Sequence, residues 1–267
     1  MGYKSLCFVV FLVVGLVAAG ETQADITDIE RRVFEKTNQA RAAYGAKVLL
    51  WDRQAEVSAR GHAEDMAKLE YMAHQSPTEG RRTPPERNWQ ARISAVYAGE
   101  NVFRHSVSGL SAERLAANMV DWWMDSPGHR ANILNPEFTH MAIGGAYGSY
   151  QGWKTAFVAQ TFLRRVIIDP RLTIEGSQGA DLRVRISGRI AVSLPYFILW
   201  DENGKMVVQA ITPANGVIEH RVLIPKTLGA IEVHLGVKND PSRPELIEVT
   251  DRFLLNTQQE TIYPPPH

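Results

Sequence analysis

Cysteine is nearly absent from this chain of 267 residues: Cys7 is the only one, and it lies inside an apolar run at the N-terminus. Removal of that run as a leader would leave no thiol, which excludes a disulfide framework and a cysteine nucleophile. Cys7 also lacks the preceding small residues of a lipoprotein attachment site. An excess of either charge is missing too. Lys+Arg and Asp+Glu both number 29, so nothing favours a polyanion, and nucleic acid is not an expected partner. After the N-terminal run no stretch approaches the length of a membrane span, and there is no internal repeat. The Gly-x-Ser-x-Gly elbow and the compact His-Glu-x-x-His signature of two large hydrolase groups are not found either.

What is present begins with Lys4 and a nearly unbroken apolar segment from Leu6 to Ala19, followed by small residues at Ala18-Ala19-Gly20 and at Ala24. This is the layout of a signal peptide over residues 1–24, and it predicts a secreted or periplasmic protein with no membrane span once the leader is gone. The rest, in a chain of 45% hydrophobic and 22% charged residues, reads as globular.

Asp25 to Tyr44 repeats Ile26, Ile29, Val33, Thr37, Ala40 and Tyr44 at helical spacing; Thr27 with Glu30 suggests a capping box and Gly45 a stop. Asp52 is placed to cap a second helix reaching about Leu69, with Ala55, Ala59, His62, Ala63, Met66 and Ala67 inward. Glu79 to Arg92, with Pro84-Pro85, reads as a surface loop. Ala98 to Phe103 is extended, Ser111 to Met124 is a third helix, and the alternating runs Met141–Tyr147 and Thr155–Phe162 form a hairpin. Beyond Asp169-Pro170 the helical period disappears. Short runs such as Leu182–Ile186, Tyr196–Trp200 and Ala230–Val237 predict an all-β unit, a β-sandwich, over 166–256, with a disordered tail over 257–267. The fold class is therefore α+β, with a helix-and-sheet domain over 25–165 ahead of the β-rich one.

Ser126-Pro127-Gly128-His129-Arg130 breaks an apolar stretch and sets a histidine just after a turn. Together with Asn38-Gln39-Ala40-Arg41, Leu50-Trp51-Asp52, His74, Gly99-Glu100-Asn101-Val102, Ile143-Gly144-Gly145 and Ala159-Gln160-Thr161-Phe162, it resembles the CAP superfamily, bacterial branch, over about 33–163. The resemblance implies an α-β-α sandwich and a cleft formed by His74, Glu100 and His129. Eukaryotic members carry a second glutamate shortly after the tryptophan matched by Trp123. Here that stretch reads Met124-Asp125-Ser126, so a three-residue site is expected.

Two imidazoles and a carboxylate suit either zinc or another divalent cation, with His74 and His129 as ligands, or a metal-free hydrogen-bond network. Glu100 would be the general base of a catalytic version. Ser126 is expected to cap the turn or the helix after it, His62 to be a packed core residue, and His105 and His140 to be solvated. Trp122, Trp123 and Trp153 are expected in the core or the cleft wall. Two functions follow from these readings. One is an exported module whose cleft binds an extracellular or envelope ligand, for which the resemblance implies a lipid, sterol or cell-wall component. The other is a metal-assisted hydrolase of peptide or envelope polymers. The partner of the β-rich part is left open.

Overall fold

Asp25 opens the first helix of the computed structural model, which describes residues 24–95, 97–107, 109–165, 167–190, 195–200, 206–211, 214–237 and 248–263. Apart from Ala24, the expected leader with Cys7 lies outside the described residues. In α1 (Ile26–Ala43) the Asp25 carboxylate accepts from the Thr27 N–H at 3.0 Å and the Thr27 hydroxyl at 2.8 Å. The cap therefore lies two residues ahead of Thr27, the residue expected to provide it. Glu30, the expected partner in that capping box, is buried and accepts instead from Arg60 at 2.7 and 2.8 Å and from the Gly145 N–H at 2.7 Å.

After β1 (Leu50–Trp51), Asp52 caps α2 (Arg53–Leu69), accepting the Ala55 N–H at 2.8 Å. The segment read as a loop contains a helix, α3 (Pro84–Gln90), capped by Thr83. Proline costs nothing in a first turn, where its missing N–H would have no partner. β2 (Ala98–Ser106), α4 (Ala112–Asp125), α5 (Pro127–Leu134), β3 (His140–Tyr150) and β4 (Trp153–Leu163) follow. The β3–β4 hairpin turns on Gln151 and Gly152, both left-handed at φ 52° and 81°, as a two-residue hairpin loop requires.

These strands make one sheet in the order β1-β3-β4-β2, with β1 parallel to β3 and the other pairs antiparallel. Successive residues of β4 point to opposite faces. Val158 joins Ile29 and Val33 of α1, Leu115, Met119 and Trp123 of α4 and Ile133 of α5. Phe157 and Ala159 pack with Ala59 and Met66 of α2. The sheet is thus sandwiched between helices, as an α-β-α arrangement requires. Full burial of side chains such as Leu115 and Met119 contributes about 1.5–3 kcal/mol each. His140 is buried in β3, not solvated as expected, and its Nδ1 lies 2.8 Å from the Thr139 hydroxyl.

The C-terminal part is all sheet. Its strands are β5 (Ile167–Gln178), β6 (Asp181–Ile190), β7 (Pro195–Trp200), β8 (Met206–Ala210), β9 (Val217–Pro225), β10 (Ala230–Val237), β11 (Glu248–Asn256) and β12 (Thr261–Tyr263). They form sheets of order β5-β6-β9 and β12-β11-β10-β7-β8. Leu182, Val184 and Ile186 of the first sheet share a core with Ile231, Val233 and Leu235 of the second, which makes a sandwich. Two strands lie where none was expected. β5 runs through Asp169-Pro170, where a register shift takes up the proline. β12, within the expected disordered tail, pairs with Leu254–Asn256.

The two parts meet around Arg165, which is 1% exposed. Its Nε donates to Asp52 at 3.0 Å and its Nη2 to Gln54 at 2.7 Å, while Nη1 lies 3.9 Å from the buried Asp251 carboxylate. The Ser94 hydroxyl donates to the same Asp251 at 2.7 Å.

Candidate functional site

Glu100 is buried near the start of β2, on the side of the sheet that faces α2 and α3. A buried carboxylate must find donors. Arg87 of α3, itself 2% exposed, donates from Nη2 to both Glu100 oxygens, at 2.9 and 2.7 Å. The same Nη2 donates to the His74 carbonyl at 2.8 Å, and Nη1 donates to the Arg81 carbonyl at 3.0 Å. Arg87 thereby ties the His74 segment to the sheet. His74 Nδ1–H completes the set, donating to Glu100 Oε1 at 3.0 Å while half of its side chain stays exposed. Burial pushes the Glu100 pKa up. The His74 hydrogen bond and the nearby Arg87 charge more than offset this, and hold the carboxyl below its ordinary range.

His62 stands behind this group. It is fully buried, as expected; its Nε2 lies 2.9 Å from the Ala73 carbonyl and 3.9 Å from Glu100 Oε1. Burial lowers its pKa. Asp65, one helical turn on, accepts from the hydroxyls of Tyr71 at 2.6 Å, Thr78 at 2.7 Å and Ser76. Burial and the Asp65 hydrogen bond raise the Tyr71 pKa to about 12, so this phenol is held as a donor.

His129, in the first turn of α5, faces His74 with ring centroids 6.4 Å apart. Its other neighbour is Trp122, 5.1 Å away between centroids. His129 Nδ1 lies 2.8 Å from the Ser126 hydroxyl. Ser126 occupies the cap position of α5, but its side chain makes no cap bond and is used on His129, contrary to the expectation of a capping hydroxyl. Burial and the neighbouring His74 both lower the His129 pKa. The links between His129 and β2 run through amides. Asn101 donates to the His129 carbonyl at 3.3 Å, and Asn132 donates to the Glu100 carbonyl at 3.0 Å and to Asn101 Oδ1 at 2.9 Å. Gly99 lets the site pack closely: a Cβ there would sit 2.9 Å from the Phe138 ring and 3.1 Å from Asn132, so those side chains would have to shift.

The structure thus brings His74 and Glu100 into contact and sets His129 across from His74. Trp122 flanks His129 and is part exposed, while Trp123 is fully buried and donates from Nε1 to the Val102 carbonyl at 3.1 Å. Trp153 is neither core nor cleft wall: it sits at the hairpin tip, 67% exposed. Asp125 ends α4 on the surface and does not join Glu100. A cavity of about 670 Å³ opens beside the site, and His74, Gly99, Glu100, Trp89, Ser94 and Arg252 are among its lining residues.

A resident divalent cation does not fit this donor set. Both Glu100 oxygens are already engaged by Arg87, whose positive charge opposes a cation at that carboxylate. Among the described residues no group of three or more His, Cys, Asp or Glu side chains is arranged to hold a metal ion. Sequence reasoning missed Arg87. The signal available was Thr83-Pro84-Pro85-Glu86, a helix cap with prolines in the first turn, which would have placed Arg87 on a helix.

Compared with known proteins, residues 34–162 match the family described as CAP, the cysteine-rich secretory protein family. An uncharacterized Bacillus subtilis (strain 168) protein, YkwD, is 37% identical over 121 residues, 45% of this chain and 44% of its own length. An uncharacterized membrane protein of the same organism, YlbC, is 32% identical over 118 residues, 44% of this chain and 32% of its own. The chain therefore spans less than half the length of these curated relatives. Among solved structures, an extracellular SCP-domain protein from Bacillus anthracis str. Ames is 31% identical, covering 52% of this chain and 41% of that one with a TM-score of 0.41. An outer surface protein from Borrelia burgdorferi is 19% identical, covering 54% of this chain and 98% of that one with a TM-score of 0.42. The matched stretch, residues 34–162, holds His74, Glu100 and His129 and is similar to the cysteine-rich secretory protein family.

Proposed function

We propose that this is an exported binding protein, in which the His74–Glu100–His129 cleft of a domain spanning 25–165 holds an extracellular or envelope ligand and a β-sandwich over 166–256 serves as a docking unit. The observation that carries this reading is the double hydrogen bond from buried Arg87 to Glu100. A general base works best with a pKa near the operating pH. Glu100 is moved the other way, and its oxygens are already used by Arg87 and His74. Such a carboxylate is a poor proton acceptor and a good anchor. It fixes the His74 ring by one nitrogen, and Ser126 fixes the His129 ring by one nitrogen. The Nε2 atoms, outside these bonds, are then oriented to exchange hydrogen bonds with a polar group of the ligand, beside the Trp122 ring.

The test uses purified protein lacking residues 1–24, sedimented with isolated cell-wall sacculi and, separately, with phospholipid and sterol vesicles. Saturable binding to one of the three that falls at least tenfold in His74→Ala and His129→Ala supports the reading. Binding to none, or binding unchanged in both variants, refutes it. Release of soluble fragments from sacculi, lost in Glu100→Gln, would instead show a hydrolase.

A further inference from the structure

A second cavity, of about 390 Å³, lies at the junction of the helix-and-sheet domain and the sandwich. Its volume is within the range that holds a small organic ligand. Three arginines line it: Arg92 from the turn after α3, Arg171 from β5 and Arg252 from β11. No Asp or Glu is among its lining residues, and none of the three guanidinium groups forms an ion pair among the described residues. The whole chain carries no net charge, so this is a local excess. Trp89, Phe253 and Ile262 give the same cavity an apolar share of its lining.

Arg252 gives an independent sign. Its Nε is buried and has no hydrogen-bond partner, although a buried donor normally finds an acceptor. Arg252 also lines the larger cavity that reaches His74 and Glu100, so it stands where the two cavities adjoin. Elsewhere at this junction the charges are matched. Arg165 pairs with Asp52 and lies near Asp251, to which Ser94 also bonds, whereas the cavity arginines have no carboxylate beside them.

We infer that the junction cavity is a binding site for an amphipathic anion, with Arg92, Arg171 and Arg252 holding a phosphate or carboxylate head and Trp89, Phe253 and Ile262 covering a short hydrocarbon or aryl part. Guanidinium groups suit this role because their N–H pairs match both head groups. The head supplies the acceptor that Arg252 Nε lacks, and the tail displaces water from the apolar lining. The site draws residues from both halves, so a bound ligand also clamps one half to the other. The inference rests on the junction alone and stands whether or not the histidine cleft binds a ligand.

Isothermal titration of the protein lacking residues 1–24 with n-octyl phosphate, sodium octanoate, inorganic phosphate and the uncharged n-octyl glucoside tests it. Saturable one-to-one binding of octyl phosphate or octanoate is expected, the tighter of the two naming the head group. Inorganic phosphate and the glucoside should each bind at least about tenfold more weakly, as loss of either half of the contacts implies. Arg171→Glu and Arg92→Glu change exposed side chains, so they should fold and should weaken octyl phosphate about tenfold or more each. Arg252→Met should do the same, and its melting curve checks that it folds. No saturable binding of either anion, equal binding of the glucoside, or unchanged binding in both charge-reversal variants would overturn the assignment.

Discussion

His62 adds to the acid sensitivity expected of this protein. Its folded pKa lies below the ordinary 6.5 because burial disfavours the imidazolium, so the unfolded chain takes up a proton that the folded one refuses. Stability from this residue is present above that value and is lost as the pH falls below it. His129, His140 and His220 are shifted the same way by burial and add to the same stage. Glu100 acts at lower pH. Its folded pKa is depressed, so its contribution is present above the ordinary 4.5 and is lost as pH falls through the folded value. Thermal melts between pH 8 and about 2.5 should therefore show a first decline below about 6.5 and a second below about 4.5. His62→Gln keeps a donor for the Ala73 carbonyl and removes the titration, so it should shrink the first decline and spare the second. A melting temperature that is flat or rising from pH 7 to 5 would contradict this.

The helices and strands hold the site through close approaches that only particular residues allow. Gly144 of β3 is the clearest case: a Cβ there would meet the α2 backbone at Arg60 N, 1.9 Å away. Neither backbone can yield cheaply, so Gly144→Ala should cost about 3 kcal/mol, the upper part of the usual overpacking range. Gly128 gives the contrast, because a Cβ added there would meet nothing within 4 Å. Gly128→Ala in α5 should be neutral or stabilising by about 0.5–1 kcal/mol, since alanine is the better helix former. Urea unfolding of the two variants checks both. The main helices were legible from spacing because α1, α2 and α4 each bury one face, and the β3–β4 hairpin was legible from its alternation. Proline hid the rest. Pro84-Pro85 masked α3 and with it Arg87, and Pro170 masked the bulged start of β5. His74, Glu100 and His129 were found through their motifs. The Arg87 clamp on Glu100 was not, because it depends on a helix crossing over Glu100 from another part of the chain.

Taken together, the two halves are joined by buried charge, and this makes the junction sensitive to one residue. Arg165→Met would leave Asp52 and the fully buried Asp251 without their cation, a loss worth about 3–5 kcal/mol by comparison with other broken buried pairs. Limited proteolysis should then cut the chain between β4 and β5 much faster than in the wild type, with the N-terminal helix-and-sheet core surviving as a fragment. Unchanged cleavage would mean that apolar packing alone holds the halves together. The functional reading depends on a single point, that Glu100 is a clamped anion and not a poised base. Carbon-detected NMR titration of the Glu100 side-chain carboxyl addresses it directly, in the wild type and in Arg87→Met. A wild-type midpoint below 4.5, moving upward in the variant, is the predicted result. A wild-type midpoint close to neutrality would contradict it.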